Sequence, residues 1–289
     1  MTQSIALDCA DVRPHSKKAG LRRLGWFTLA AVLALAVISG ANPPAAAPPP
    51  APPATKTSAT TPPAPAPDSP FDEPLRLIAE ARKAYQGVKD YRCTFIKREL
   101  LGGQLQAENV VVMQVRAKPF SVFLDWKAPR DLVGQQACYV AGQNDGMMRV
   151  QPTGAAGLLG FLSIDPKDAR VLENSRHAIT EAGFGHLIER FGHCYETARK
   201  QGKAEVRTAL YEYNHRHCTR IETTYTDPKV ATDGIGRSML YLDKETHLPV
   251  RCECYEFPRA GSREGQLMEV YSYVNVQLNV GLADDVFKH

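Results

Sequence analysis

The stretch that decides the fold is residues 236–257, GRSMLYLDKETHLPVRCECYEF. It predicts two strands, Gly236–Leu242 and Pro249–Phe257, joined by a polar turn. Strands connected by so short a turn pair side by side and antiparallel. This hairpin therefore predicts a sheet in which strands that are consecutive in the chain are neighbours.

Similar short runs lie on both sides of this hairpin. They predict further strands at 91–100, 106–116, 121–127, 136–141, 147–151, 204–213, 218–226 and 267–277. Apolar residues at three- and four-residue steps predict helices at 74–88 and 180–200. Strands and helices do not alternate as a parallel sheet requires. The predicted fold class is α+β: a long antiparallel β-meander of nine or so strands, curled into an incomplete barrel, with about two helices on the concave side.

The first 70 residues differ in composition from the rest. Residues 1–23 are basic, the run Leu24–Ala41 is apolar and uncharged, and residues 42–70 are rich in proline and alanine. At 1.5 Å per residue, a helix over the apolar run is about 27 Å long, enough for a membrane core. The predicted order is a cytoplasmic head (1–23), a transmembrane signal-anchor or signal peptide (24–41), a disordered tether (42–70) and a β domain (71–289).

Basic residues before an apolar run keep that end of the chain in the cytoplasm. The predicted location is therefore the bacterial inner membrane, crossed once by an N-terminal membrane helix, with the C-terminal domain in the periplasm. Small residues at Ser39-Gly40-Ala41 leave open cleavage after Ala41 and secretion to the periplasm.

Charge and cysteine content restrict the partners only partly. The formal net charge is +4, and basic residues in the β domain are scattered among acidic ones, so no nucleic-acid partner is expected. Disulfides and buried free thiols are both open possibilities for the six cysteines beyond the apolar run: Cys93, Cys138, Cys194, Cys218, Cys252 and Cys254.

The segment Gly154–Leu162 is apolar yet rich in glycine. It predicts either a short helix that caps the core or a movable lid over an apolar cavity. Aromatic side chains of the third strand could line such a cavity, beside a polar cluster that follows the segment. The candidate ligand-binding residues are Phe120, Phe123, Trp126, Leu158, Leu159, Phe161, Arg176 and His177.

Candidate catalytic chemistry is sparse. His177 and Glu181 could exchange protons, but no nucleophile motif accompanies them, and a structural role in starting the helix is the stronger interpretation. Phosphate-binding glycine loops, a GxSxG elbow and an HExxH helix are absent from the sequence. The histidines and cysteines follow no recognised zinc spacing. We therefore predict no enzyme activity, no cofactor and no metal.

Four stretches of the β domain resemble the DUF1571 family of exported bacterial proteins of planctomycete type. They are residues 84–91 (AYQGVKDY), 97–99 (KRE), 118–122 (KPFSV) and 176–183 (RHAITEAG). The chain has Ala178 where the family favours proline. The resemblance brings no established activity.

The domain is more distantly similar to the LolA/LolB-like lipoprotein carriers. The early helix, the turn 246–250 (THLPV), the terminal 279–282 (NVGL) and Phe287 carry this similarity. It implies an incomplete barrel around an apolar cavity that accepts acyl chains. The expected function is a membrane-tethered, non-catalytic domain that binds an acyl chain or other apolar ligand, possible ligands being a lipid or a lipoprotein. The alternative is a scaffold or protein-interaction module with a solid core; a hydrolase using His177 and Glu181 is a third class.

Overall fold

A computed structural model describes residues 69–158 and 160–289, with Thr232 described in its backbone only. Within these residues there are two long helices, α1 (Asp72–Gln86) and α4 (Phe184–Gln201), and two single-turn helices, α2 (Gly154–Gly157) and α3 (Ala169–Leu172). The strands are β1 (Asp90–Leu101), β2 (Gln104–Leu105), β3 (Asn109–Arg116), β4 (Ser121–Ala128), β5 (Gln136–Val140), β6 (Met148–Gln151), β7 (Leu162–Ile164), β8 (Ala204–Tyr213), β9 (Arg216–Tyr225), β10 (Ile235–Asp243), β11 (Pro249–Glu256) and β12 (Leu267–Leu278).

All twelve strands belong to one antiparallel sheet. Its order is β7-β6-β5-β4-β3-β1-β12-β11-β10-β9-β8, and β2 pairs with β1. Two meanders, β1 to β7 and β8 to β12, are therefore joined by the pairing of β1 with β12. The edge strands β7 and β8 do not pair with each other, so the sheet of the described residues is not closed. This confirms the predicted α+β fold class, with a long antiparallel sheet that is not closed and two long helices.

The two long helices cover one face of the sheet, which we call the inner face. Helix α4 packs on α1 and on strands β8 and β11. Gly192 allows α1 and α4 to approach closely, since a Cβ atom there would lie 3.1 Å from Cγ2 of Ile78. Arg82 of α1 donates to both carboxylate oxygens of Glu189, and the Nη2–Oε2 distance is 2.8 Å. The helices and the inner face form one continuous apolar core.

The opposite, outer face carries smaller clusters. Phe123, Cys138 and Val140 of β4 and β5 pack there against Phe287 near the chain end. Because side chains alternate between faces along a strand, Leu124 and Trp126 of β4 point to the inner face.

Helix α4 begins later than the sequence predicts. A short 3-10 turn, Ile179–Glu181, comes first. Gly183 follows with a φ of +90°, which separates this turn from the start of α4 at Phe184. A Cβ atom on Gly183 would lie 2.3 Å from the Tyr91 hydroxyl, so only glycine fits this approach. The Phe184 N–H donates to the same hydroxyl at 3.1 Å.

Five of the cysteines are buried thiols, which is one of the two possibilities that the sequence leaves open. Cys93, Cys138, Cys218, Cys252 and Cys254 are free and buried. Burial raises the pKa of Cys93 and of Cys252 to about 12, so both thiols are protonated at neutral pH.

No helix among the described residues is long and apolar enough to cross a membrane. This finding corrects the predicted location, whether a single pass through the inner membrane with the domain in the periplasm or secretion to the periplasm. The run Leu24–Ala41, on which that prediction was based, lies outside the described residues, as do the predicted head and nearly all of the tether. The division into 1–23, 24–41, 42–70 and 71–289 stays a prediction.

Candidate ligand-binding cavity

A cavity of about 600 Å³ lies against the inner face. Its walls are strands β1, β3 to β6 and β12, the loops at 106–107 and 129–135, the chain segment 164–183, and the first two turns of α4. We call segment 164–183 the strap, because it crosses the cavity from β7 to α4. Sites for small molecules have volumes of about 300–1,000 Å³, so this space has the size of a ligand site.

Most of the sheet side of the cavity is apolar. The inward-facing side chains of β3, β4 and β6 supply this surface: Val111, Met113, Leu124, Trp126, Met148 and Val150. The indole N–H of Trp126 donates to Oδ1 of Asn109 at 2.8 Å, so the only polar atom of this side chain is satisfied. The Trp126 ring can therefore present apolar surface to the cavity without an unpaired donor.

A polar wall faces the apolar one, and Glu269 of β12 is at its centre. This carboxylate is fully buried and accepts hydrogen bonds from Arg176 Nε at 3.0 Å, from His177 Nε2 at 2.8 Å and from Arg190. Burial acts to raise the pKa of Glu269, but the hydrogen bond from His177 and the charge of Arg190 hold it well below its usual value. Glu269 is therefore ionised.

Glu99 of β1 is a second buried carboxylate in this wall. It accepts hydrogen bonds from the Tyr271 hydroxyl and from Lys97 Nζ, the latter at 2.8 Å. Burial and the two neighbouring carboxylates, Glu269 and Glu99, raise the pKa of Tyr271 well above 10. The Tyr271 phenol thus remains a hydrogen-bond donor.

The polar wall fixes the strap to the sheet. Ser175 accepts from Lys97 at 3.0 Å, while the strap residues Arg176 and His177 donate to Glu269. The other ring nitrogen of His177, Nδ1, lies 3.2 Å from Oε2 of Glu181. The wall therefore connects β1 and β12 with the strap and α4, although β1, β12 and the strap are far apart in sequence.

The structure brings some of the predicted ligand-binding residues to this cavity. Trp126 and His177 line it, and Arg176 contacts it indirectly, through Glu269. Phe120 packs against the main core and its ring lies 6.2 Å from that of Tyr139.

Other predicted residues lie elsewhere. Phe123 is on the outer face, and the rings of Phe123 and Phe161 stack on His289 at 4.8 and 4.7 Å. Leu158 is 89% exposed, and Leu159 is outside the described residues. Residues 154–162 supply none of the cavity's lining in the described residues; the strap supplies that cover instead.

Sequence reasoning missed the centre of the polar wall. Glu269 and Tyr271 alternate with Met268, Val270 and Ser272, so a carboxylate falls in register with aromatic residues on one face of β12. The sequence feature that could have identified Glu269 is a charged residue at an inward-facing position of an otherwise buried strand. Its partner Arg190 does not stand out in the sequence, because α4 carries several other charged residues.

In the described residues, no group of three or more His, Cys, Asp or Glu side chains is arranged to hold a metal ion. Most donors and acceptors of the polar wall are instead engaged with one another. This arrangement can position the polar end of an organic ligand whose apolar part occupies the cavity.

Several solved structures resemble the domain, each at low sequence identity. An uncharacterised conserved protein from Thermus thermophilus shares 8% identity with a TM-score of 0.44, over 75% of this chain and 93% of that one. The Mycobacterium tuberculosis lipoprotein LppX shares 13% identity with a TM-score of 0.41, over 72% and 96%. A LolA superfamily protein from Nitrosomonas europaea shares 13% identity with a TM-score of 0.31, over 74% and 96%.

Sequence comparison identifies the family directly. No curated protein matches the chain. The model of DUF1571, described as a protein of unknown function, matches residues 88–289, which include every strand of the sheet. The resemblance seen in the four sequence stretches is thereby confirmed, and the chain belongs to the DUF1571 family.

Proposed function

We propose that this domain binds an acyl chain or another long apolar group in the cavity under the strap, and that it does so without catalysis. The observation that carries the proposal is the 600 Å³ space between an apolar sheet surface and a polar wall. An apolar ligand entering it gains about 25 cal/mol for each Å² of apolar surface removed from water.

The lining favours an apolar guest over water. A buried water molecule needs about three hydrogen bonds, and the Val111, Met113 and Leu124 side chains offer none. Burial of an elongated apolar group against these side chains replaces poor solvent contacts with close packing. The polar wall would leave one end of the ligand hydrogen-bonded.

The cavity also argues against the alternative, an interaction module with a solid core. A module of that kind would need no internal space, whereas here the inner face beneath the strap stays unfilled. A hydrolase is less well supported, because His177 is committed to Glu269 and Glu181, and the Ser175 hydroxyl in the wall is bonded to Lys97 instead of His177.

The proposal is tested with the purified protein and a fluorescent fatty acid. We expect saturable binding of about one equivalent, together with co-purified lipid in native mass spectrometry. Val150→Trp fills the cavity and should weaken binding at least about tenfold. Val280→Trp makes the same change on an exposed position outside the cavity and should leave binding unaltered. Absence of uptake by the wild-type protein, or equal uptake by both variants, would contradict the proposal.

A further inference from the structure

We infer that the ligand carries an anionic head group, a carboxylate or a phosphate, which binds at the polar wall beside Lys97, His177 and Arg190. This inference rests on the function proposed above and names the chemical class of its ligand. Cationic side chains face the cavity, and the buried carboxylate of Glu269 lies behind them.

The charges of the polar wall lie at different depths from the cavity. Glu269 is fully buried and does not line the cavity, but its partners Arg190 and His177 do. A ligand in the cavity therefore meets the cationic side of these ion pairs, while the carboxylate lies behind them. A charge-assisted hydrogen bond from such a donor is about twice as strong as a neutral one.

Arg190 has N–H donors that Glu269 does not use. Its Nη2 atom donates to Glu269 and lies 3.7 Å from the Cys254 sulfur. Its Nη1 atom lies 3.2 Å from Nε2 of His177. Because that nitrogen already donates to Glu269, it has no lone pair to offer Arg190. The N–H groups of Nη1 are thus left for another acceptor, which a carboxylate or phosphate oxygen would supply.

The buried part of the wall carries more positive than negative charges. Lys97, Arg176 and Arg190 are three cations, and they face two buried carboxylates, Glu99 and Glu269. Three against two leaves one positive charge in excess, although Glu99, unlike Glu269, itself lines the cavity beside Lys97. Removing such a charge from water is costly unless it is paired, so this excess favours an anionic ligand.

Other charged groups of the lining lie nearer solvent. Glu181 beside His177 and His186 has a side chain 38% exposed, so water and salt screen its repulsion of an anion. Arg170 is paired with Asp168, which lies outside the lining. Asp131 is an acid on an exposed turn. These groups reduce the preference for an anion without reversing it.

The test compares ligands with one tail and different heads. Dodecanoate, dodecyl phosphate, dodecanol and dodecylammonium are titrated against the full chain by calorimetry. We expect dodecanoate or dodecyl phosphate to bind at least about tenfold tighter than dodecanol, and dodecylammonium to bind most weakly. The ranking of the two anions distinguishes a fatty acid from a phosphate-bearing lipid.

Two substitutions with a matched control locate the head group. Lys97→Met should weaken dodecanoate binding about tenfold and leave dodecanol within about twofold. The control is Lys127→Met. Lys127 also pairs with a carboxylate two residues away, Asp125, but it lies outside the cavity, so this change should alter neither dodecanoate nor dodecanol binding. Glu181→Gln should strengthen dodecanoate binding a few-fold, since it removes a negative charge beside His177. Circular dichroism checks folding, and the wild-type ligand series stays decisive if a variant unfolds.

The outcomes separate the two proposals. If none of the four compounds binds, the proposed function itself fails. If dodecanoate, dodecyl phosphate and dodecanol bind equally, the cavity binds apolar chains but the anionic head group is refuted. Tightest binding of dodecylammonium would overturn the inference as well.

Discussion

The half of the inner face beneath α4 is filled and the half beneath the strap is hollow, while an open groove of about 420 Å³ lies farther out, between α1 and strands β8 to β10. Between α4 and strands β9 to β11, the space next to Phe191 and Tyr225 amounts to about 10 Å³. Beneath the strap, against β3 to β6, it amounts to about 600 Å³. An 18-residue helix is about 27 Å long and cannot cover both halves. The comparison teaches that one sheet can combine a closely packed half, which stabilises the domain, with a half that stays open and could hold the proposed ligand.

The largest expected effect is in the filled half. Leu240 of β10 is fully buried in the main core. Leu240→Ala should lower the free energy of unfolding by about 4 kcal/mol, because the close-packed neighbours cannot collapse into the space that is left. Urea denaturation measures the change. A loss below about 1 kcal/mol would show that this half is not tightly packed.

Glu269→Gln tests the boundary between the halves. It leaves Arg176 and Arg190 facing a neutral amide in a buried wall, so we expect a loss of about 3 kcal/mol. The wild-type pKa of Glu269 is lowered, so its contribution is present at neutral pH and fades only in strong acid. Glu264→Gln, at an exposed position, is the control. Equal stability of the two variants at pH 7 would contradict the assigned role.

Acid should weaken the filled half through Asp243 at the end of β10. Burial acts to raise the pKa of Asp243, but hydrogen bonds from Arg216 and Thr246 lower it to about 2. An aspartate in an unfolded chain has a pKa of about 3.9, so this contribution is complete above about pH 4 and is lost as the pH falls toward 2. Asp243→Asn should cost about 1–2 kcal/mol at pH 7 and reduce the acid sensitivity. Parallel pH–stability curves for variant and wild type would contradict this account.

The smallest effect is expected in the hollow half. Leu124→Ala makes the same change as Leu240→Ala, but the side chain borders the cavity. Leu124 is only partly buried and packs on fewer neighbours, so the loss should be about 1 kcal/mol. If the two leucine variants lose equal stability, the half beneath the strap is as tightly packed as the other.

The sequence predicts the sheet better than the cavity. Ten strands and both long helices follow from local periodicity, whereas β2 and β7, with two and three residues, are too short to show a period. Gly183 alone decides where α4 begins, through a contact with Tyr91 that is 92 residues away in the chain. Long-range contacts of this kind leave no local pattern.

The same limit applies to the site. Trp126 and His177 were identified because an aromatic strand and a polar cluster are visible in the sequence. Phe123, three residues before Trp126, lies on the other face because strand side chains alternate. Glu269 and Arg190 meet only after β12 pairs with β1 and α4 packs on the sheet.

The pairing of β1 with β12 places the first and the last long strands at the middle of the sheet. Strand β1 starts at Asp90 and β12 ends at Leu278, so the contact joins residues nearly 190 positions apart. Closing so long a loop is entropically expensive and slows folding. During synthesis, the cavity beneath the strap cannot acquire its charged side until β12 has left the ribosome, so any ligand that it binds would enter only after that point.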